Sequence, residues 1–190
     1  LSQLQWQYVI NTARELAAQS PEKHERTLFI MSALYSMYLR ISELAACDRW
    51  TPTMNDFYRD NDNHWWFITV GKGNKERQIA VSDAMLEALK RWRNHLNLSP
   101  LPSPADESPL LPKVKGYGAI RSINFIRTIV QSCFDAAIDQ LKQDGLEEES
   151  ETLNEATVHW LRHTGISEDV KIRPREHVRD DAGHSSSAIT

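Results

Sequence analysis

Cysteine is scarce in this chain. Its 190 residues include 2 cysteines, Cys47 and Cys133. They lie far apart, with no CxxC pair and no His-rich metal spacing nearby, which argues against a disulfide framework and for a reducing compartment. Both read as small buried hydrophobes. No apolar run is long enough to span a bilayer, and Leu1 opens no signal-peptide pattern, so the expected location is cytoplasmic with no membrane partner. No internal repeat is visible. Net positive charge is missing as well: Lys and Arg number 22 against 26 Asp and Glu, a formal charge of -4. Nucleic-acid-binding domains are usually basic, so any affinity for phosphate has to come from local patches.

What is present suffices for one sizeable core, with 41% hydrophobic residues and a length that favours a single domain. Basic patches exist despite the negative sum. Lys113, Lys115, Arg121 and Arg127 follow one another with no acidic residue between them. Lys72, Lys75, Arg77, Lys90, Arg91 and Arg93 form a second basic stretch, while acid is concentrated at 147–151 and 56–62.

The coarse pattern is helical with one short sheet. Trp6, Val9, Ala13 and Leu16 recur at helical spacing, and 27–39 is apolar nearly all round, the mark of a central buried helix that ends at Arg40. Aromatic and β-branched residues then fill 64–70 and 78–81 around a Gly71-Lys72-Gly73-Asn74 turn, which predicts a β-hairpin with lysine at its tip. Ser82 or Asp83 caps a helix with Met85, Leu89, Trp92 and Leu96 on its apolar face, stopping before Pro100. Five of the eight prolines fall in 99–118, predicting an irregular surface loop and the place in the domain most prone to disorder. Ile123, Ile126, Val130, Phe134, Ala137 and Leu141 mark a long amphipathic helix ending at Gly145. The acidic stretch after it reads as a solvated connection, His159-Trp160-Leu161-Arg162 as helical, and 174–182 as a short helix with Pro174 in its first turn.

Four segments carry chemistry in a fixed order. They are Leu39-Arg40-Ile41-Ser42-Glu43-Leu44, Gly71-Lys72-Gly73-Asn74-Lys75-Glu76-Arg77, Thr157-Val158-His159-Trp160-Leu161-Arg162-His163-Thr164-Gly165, and Gly183-His184. Each alone is weak. An arginine ending a buried helix beside a glutamate is common, and a Gly-Lys-Gly-Asn turn is more often an ordinary hairpin. His159 and His163 stand at a zinc-ligand spacing, but no HExxH glutamate and no third ligand accompany them, so a metal site is rejected. Ser185-Ser186-Ser187 after Gly-His more simply caps a helix than supplies a nucleophile.

Taken together and in order, the segments resemble the catalytic domain of the tyrosine recombinases, the phage integrase and Xer-type family, over about residues 27–190. The resemblance implies a mainly helical α+β fold, the DNA breaking-rejoining catalytic domain with a small antiparallel β-sheet. It implies Arg40, Lys72, His159, Arg162 and His184 as catalytic residues, Glu43 as their acidic support, and Lys75 as the alternative hairpin lysine. DNA contacts are expected from Lys75, Arg77, Lys113, Lys115, Arg121 and Arg127. Arginines suit charge building on a scissile phosphate because they stay protonated and donate in a planar fork. A lysine can protonate the leaving 5′ oxygen, and histidines can exchange a proton with the attacking hydroxyl or bind a phosphate oxygen.

The implied activity is site-specific recombination or integration through a 3′-phosphotyrosyl intermediate, without metal or cofactor. Its partner is double-stranded DNA at a specific site, and the synaptic complex is a homo-tetramer, in the cytoplasm and nucleoid-associated if the source is bacterial. Two departures stand out. The family's nucleophilic tyrosine would fall beyond Thr190, and none of Tyr8, Tyr35, Tyr38, Tyr58 or Tyr117 occupies its position. The family's N-terminal helical domain is absent, so 1–190 reads as one catalytic domain whose first 19 residues form a helix after a linker. The alternatives are type IB topoisomerase-like strand relaxation and a recombinase-derived DNA-binding module without catalysis.

Overall fold

Helix α2 (Pro21–Met37) is the element on which the others are laid, because an unbroken run of its residues, 27–34, is buried. Pro21 starts it, where a missing amide hydrogen costs nothing. Tyr38 ends it in the left-handed region at φ 54°, a conformation that helices of L-residues do not continue. The computed structural model describes residues 1–165, with Lys72 and 163–165 described by backbone alone. The expected helix at 174–182 lies outside the described residues. No described helix is long and apolar enough to cross a membrane.

Helix α1 (Gln3–Gln19) begins in a capping box, in which Ser2 Oγ accepts from the Gln5 amide and Gln5 Oε1 from the Ser2 amide. Its Val9, Ala13 and Ala17 are buried, and Trp6 stacks on Tyr35 of α2 with ring centroids 3.8 Å apart. Helices α3 (Asp83–His95) and α4 (Ile123–Gln143) also pack on α2. Ser82 and Ser122 cap them through Oγ to the Met85 and Phe125 amides. Each large apolar side chain so buried contributes about 1.5–3 kcal/mol.

Three antiparallel strands follow in order, β1 (Phe57–Arg59), β2 (Trp65–Val70) and β3 (Glu76–Ala80). Phe57 faces Phe67, and Phe67 faces Ile79. These three residues are buried, so one face of the sheet closes on the core. The pair Thr69 and Arg77 lies one step further along that same face. The hairpin was legible in the sequence; the three-residue β1, set in an acidic segment, was not.

Three expectations need correction. The proline-rich segment 99–118 contains no helix or strand, yet it is pinned rather than loose. Leu110 and Leu111 are buried, Trp92 Nε1 donates to Leu110 O at 2.9 Å, and the Met54 and Leu110 amides donate to Ser108 O and Pro52 O. Arg93 adds bonds to Ser99 O and Asp106 Oδ2, both 2.7 Å. The acidic stretch is not a connection but the first turn of α5 (Glu147–Gly165), where carboxylates complement the positive end of the helix dipole. Of the cysteines, Cys133 is buried, its thiol pushed up to about 12 by desolvation, but Cys47 is exposed.

Candidate active site

The left-handed turn at Tyr38 sends the chain out of α2 in extended form, with Leu39 buried and Arg40 at φ -81°, ψ 151°. Arg40 then opens a single 3-10 turn, Ile41–Glu43. Glu43 folds back so that its Oε1 accepts the Arg40 amide at 2.8 Å. That carboxylate, only 4% exposed, is shared: Arg77 Nη2 donates to Oε1 at 3.0 Å and lies 3.0 Å from Oε2. Burial pulls the Arg77 guanidinium below the usual arginine range; Glu43 opposes that shift and the nearby Arg40 adds to it. Two guanidiniums around one carboxylate leave an excess of positive charge at this spot.

The hairpin closes onto the same place. A side chain begun at Gly71 would put its Cβ 3.5 Å from Glu43 Oε2 and 3.9 Å from Arg40 Nη1, so the root of the turn lies against both. The tip is a 3-10 turn, Lys72–Asn74. The Gly71 amide donates to Lys75 O at 2.8 Å, and Gly73 at φ 76° and Asn74 at φ 63° supply the left-handed residues that the reversal needs. Lys72 is the first residue of this tip, and Lys75 stands exposed at its end.

Helix α5 reaches the same turn, packing on α4 and on residues 41–43. Its orientation is fixed by buried Leu153, Thr157 and Trp160, the last set edge-on to Phe134 with centroids 5.2 Å apart. His159 and Arg162 therefore emerge exposed on neighbouring positions of one face. His184 lies outside the described residues. Among the described residues, no group of three or more His, Cys, Asp or Glu side chains is placed to hold a metal ion.

The expected DNA-contacting residues divide. Lys75, Lys113, Lys115 and Arg121 are exposed and Arg127 is half-buried. Arg121 pairs with exposed Asp48 at 2.7 Å, and Arg127 donates to Asn124. Tyr117 stands 98% exposed in the same loop, between Gly116 and Gly118, both of positive φ. Arg77 is a correction: it is 6% exposed and bound to Glu43, so it offers nothing to a DNA surface. Four tyrosines have other surroundings. Tyr8 donates to Asp144, Tyr35 stacks on Trp6, Tyr38 caps α2, and Tyr58 accepts from Gln78 Nε2.

The model of the phage integrase family matches residues 4–190. This chain belongs to the phage integrase family. The integrase-family chain is 34% identical over 77 residues to tyrosine recombinase XerC of Corynebacterium efficiens, covering 40% of this chain and 22% of that protein. Its fold matches the crystal structure of XerH site-specific recombinase bound to palindromic difH substrate in a post-cleavage complex, with a TM-score of 0.61 at 19% identity over 99% of this chain. It also matches the pre-cleavage complex of XerH with difH, with a TM-score of 0.54 at 18% identity over the whole chain. The chain spans 47% and 49% of those two structures and 22% of the curated relative. The fold is therefore the expected one, mainly helical α+β with a small antiparallel sheet.

In this integrase-family chain the described residues bring Arg40, Glu43, Arg77 and the hairpin root together and set α5 against the same turn. Arg77 is the member that reading the sequence assigns to the DNA surface instead of to this cluster. The signal was available: Arg77 and Ile79 have the same parity in β3, so a strand that buries Ile79 must also turn Arg77 inward.

Proposed function

We propose that this chain is the catalytic domain of a site-specific tyrosine recombinase, which cleaves and rejoins double-stranded DNA through a 3′-phosphotyrosyl intermediate. The observation that carries this reading is the setting of Arg40. Glu43 holds its backbone amide and forms its ion pair with Arg77, so the Arg40 guanidinium is not consumed by that carboxylate. Arg40 is 8% exposed, and a cation held there by its main chain, with no ion pair to its guanidinium among the described residues, is arranged for a phosphate brought into the cleft.

In the reaction, a tyrosine hydroxyl attacks the scissile phosphorus, and charge on the non-bridging oxygens is met by Arg40 and Arg162. Lys72 gives its proton to the leaving 5′ oxygen, His159 exchanges a proton at the attacking side, and His184 hydrogen-bonds a phosphate oxygen. The phosphodiester bond energy is kept in the tyrosyl ester, and a 5′ hydroxyl from another strand reverses the step, so no cofactor enters. None of Tyr8, Tyr35, Tyr38, Tyr58 or Tyr117 is assigned that role. Lys75, Lys113, Lys115, Arg121 and Arg127 contact the DNA backbone, with Tyr117 projecting among them. The working assembly is a homo-tetramer on its recombination site, acting in the cytoplasm, with residues 1–190 forming one domain.

The test is a nicked suicide duplex carrying the recombination site, incubated with a protein extended past Thr190 and run on a denaturing gel. A protein-linked 3′ end that maps to tyrosine is expected. A full turnover of supercoil relaxation without strand exchange between two sites would instead make it a topoisomerase, and specific binding without any adduct would make it a binding module.

A further inference from the structure

Arg77 is a buried cation on the inner face of a sheet otherwise lined by Phe57, Phe67 and Ile79. Its cross-strand neighbour is Thr69, which is also buried, with Oγ1 unpartnered among the described residues. Sheet packing does not call for a guanidinium there. Replacing a buried ion pair by apolar side chains of similar volume is often neutral or stabilising, so stability is a poor reason for this pair. Its placement suggests another. Arg77 sits on the strand whose hairpin carries Lys72, and Glu43 sits on the turn that carries Arg40. One oxygen, Glu43 Oε1, takes both the Arg40 amide and Arg77 Nη2.

We propose that Arg77 is a positioning residue that ties the β2–β3 hairpin, through Glu43, to the backbone of Arg40, and so fixes the hairpin lysine relative to the phosphate clamp. The link to Lys72 is short and stiff. From the Thr69–Arg77 rung, one further pair, Val70 with Glu76, and the Gly71-to-Lys75 bond lead to the tip. That root lies close to Glu43 and Arg40, since a Cβ built at Gly71 would sit in ordinary contact with both, 3.5 Å from Glu43 Oε2 and 3.9 Å from Arg40 Nη1. Without the Arg77 fork, the ladder above the rung keeps its own bonds but loses its attachment to the 40–43 segment. The hairpin would then hinge, and its lysine would spend less time in reach of the leaving oxygen.

The proposal rests on the recombinase reading for its catalytic consequence but not for its structural one, and the experiment separates the two. Arg77→Met keeps most of the volume and removes the fork; Arg77→Lys keeps the charge. Amide hydrogen exchange on the folded chain is expected to speed up about tenfold or more at 69–77 in Arg77→Met, with the amides of α2 and α4 unchanged. Arg77→Lys should fall between. Unchanged protection at the hairpin overturns the tie. A uniform loss across α2 and α4 overturns it too, because Arg77 would then serve global stability.

In the protein extended past Thr190, Arg77→Met should cleave an ordinary duplex about ten to a hundred times more slowly, a partial loss of the roughly 10² to 10⁴ that general-acid catalysis supplies. It should recover on a substrate with a 5′-bridging sulfur, whose thiolate leaves without a proton. A merely structural defect would slow both substrates alike, and that result would refute the positioning role. If the unsubstituted protein forms no adduct on either substrate, the recombinase reading fails, and the exchange result still decides whether Arg77 holds the hairpin.

Discussion

The region from the hairpin through α3 and the loop leading into α4 carry six and three Lys or Arg residues respectively, and most of these are used in opposite ways. In the first, Arg77 is held by Glu43, Arg91 grips Glu25 through Nε and Nη2, Arg93 is buried on Asp106, and Lys90 pairs with Glu87. The arginines among them join elements of the fold to one another, while the Lys90 pair lies within α3. In the second, Lys113, Lys115 and Arg121 stand in solvent, and the ion pair of Arg121 is an exposed one with little worth of its own. A charge run therefore makes a binding surface only where the backbone turns it outward and no carboxylate from elsewhere in the chain arrives to claim it. Of the two stretches, the loop turns all its cations outward, whereas the other exposes Lys75 at the hairpin tip and spends its arginines on ion pairs within the fold.

The largest difference should appear in stability. Arg93→Ala removes a cation that is 2% exposed, leaving Asp106 and Ser99 unmatched and freeing the proline-rich loop. Denaturant titration should show a loss of about 3–5 kcal/mol. Lys113→Ala and Lys115→Ala, alone or together, should stay within about 0.5 kcal/mol of the parent.

Binding should show the reverse. The Lys113→Ala/Lys115→Ala double variant should weaken DNA binding about tenfold at moderate salt, and the slope of log affinity against log salt should fall by about two. Lys90→Ala, taken from the other region, should leave both quantities unchanged. Equal effects from the two regions would dissolve the contrast.

A smaller effect comes from acid on the hairpin side. Asp56, whose Oδ2 accepts the Thr53 amide at 2.8 Å, is pushed up from 3.8 to about 6, first by desolvation and against the pull of its Thr53 bonds, with a further push from Glu76. A carboxyl with its pKa raised on folding stabilises the protein fully below the ordinary value and loses that contribution as pH climbs through about 6. Stability should accordingly drop between about pH 4 and pH 6 by roughly 1–2 kcal/mol, since the group is partly screened by solvent. Asp56→Asn should flatten that part of the profile in thermal melts at a series of pH values.

The smallest effect should come from Asp48→Asn. It releases Arg121 at a cost under about 1 kcal/mol and should raise DNA affinity by a factor of about two to three at low salt.

How much of this was legible in the sequence depended on period. The apolar all-round run of α2, the 3.6-residue faces of α3 and α4 and the Gly-Lys-Gly-Asn reversal all have local signals, and each element formed there, although α2 stops at Met37, short of Arg40. The proposed site order Arg40, Lys72, His159, Arg162 stands in the sequence as motifs. Losses occurred where the deciding partner is remote. Glu25 lies 66 residues from Arg91, and Glu43 lies 34 from Arg77. Even there, two hints were local. Arg77 shares strand parity with Ile79, and Arg93 continues the i, i+4 row of Met85 and Leu89 into the core. The proline-rich loop was misread because composition reports the lack of regular structure and not the buried Leu110 and Leu111 that anchor it. The acidic stretch was misread because carboxylates look like a solvated linker until they are seen as the start of a helix.

The central claim is that Arg40 acts on one phosphate and not on DNA affinity at large. The direct measurement is single-turnover cleavage beside equilibrium binding for Arg40→Ala in the protein extended past Thr190. Cleavage should fall by about 10² to 10³ or more, while the dissociation constant for the site stays within about threefold, because this is one phosphate contact among many. An Arg40→Ala protein that forms the covalent adduct at the parent rate, or that loses binding as steeply as cleavage, would contradict the account.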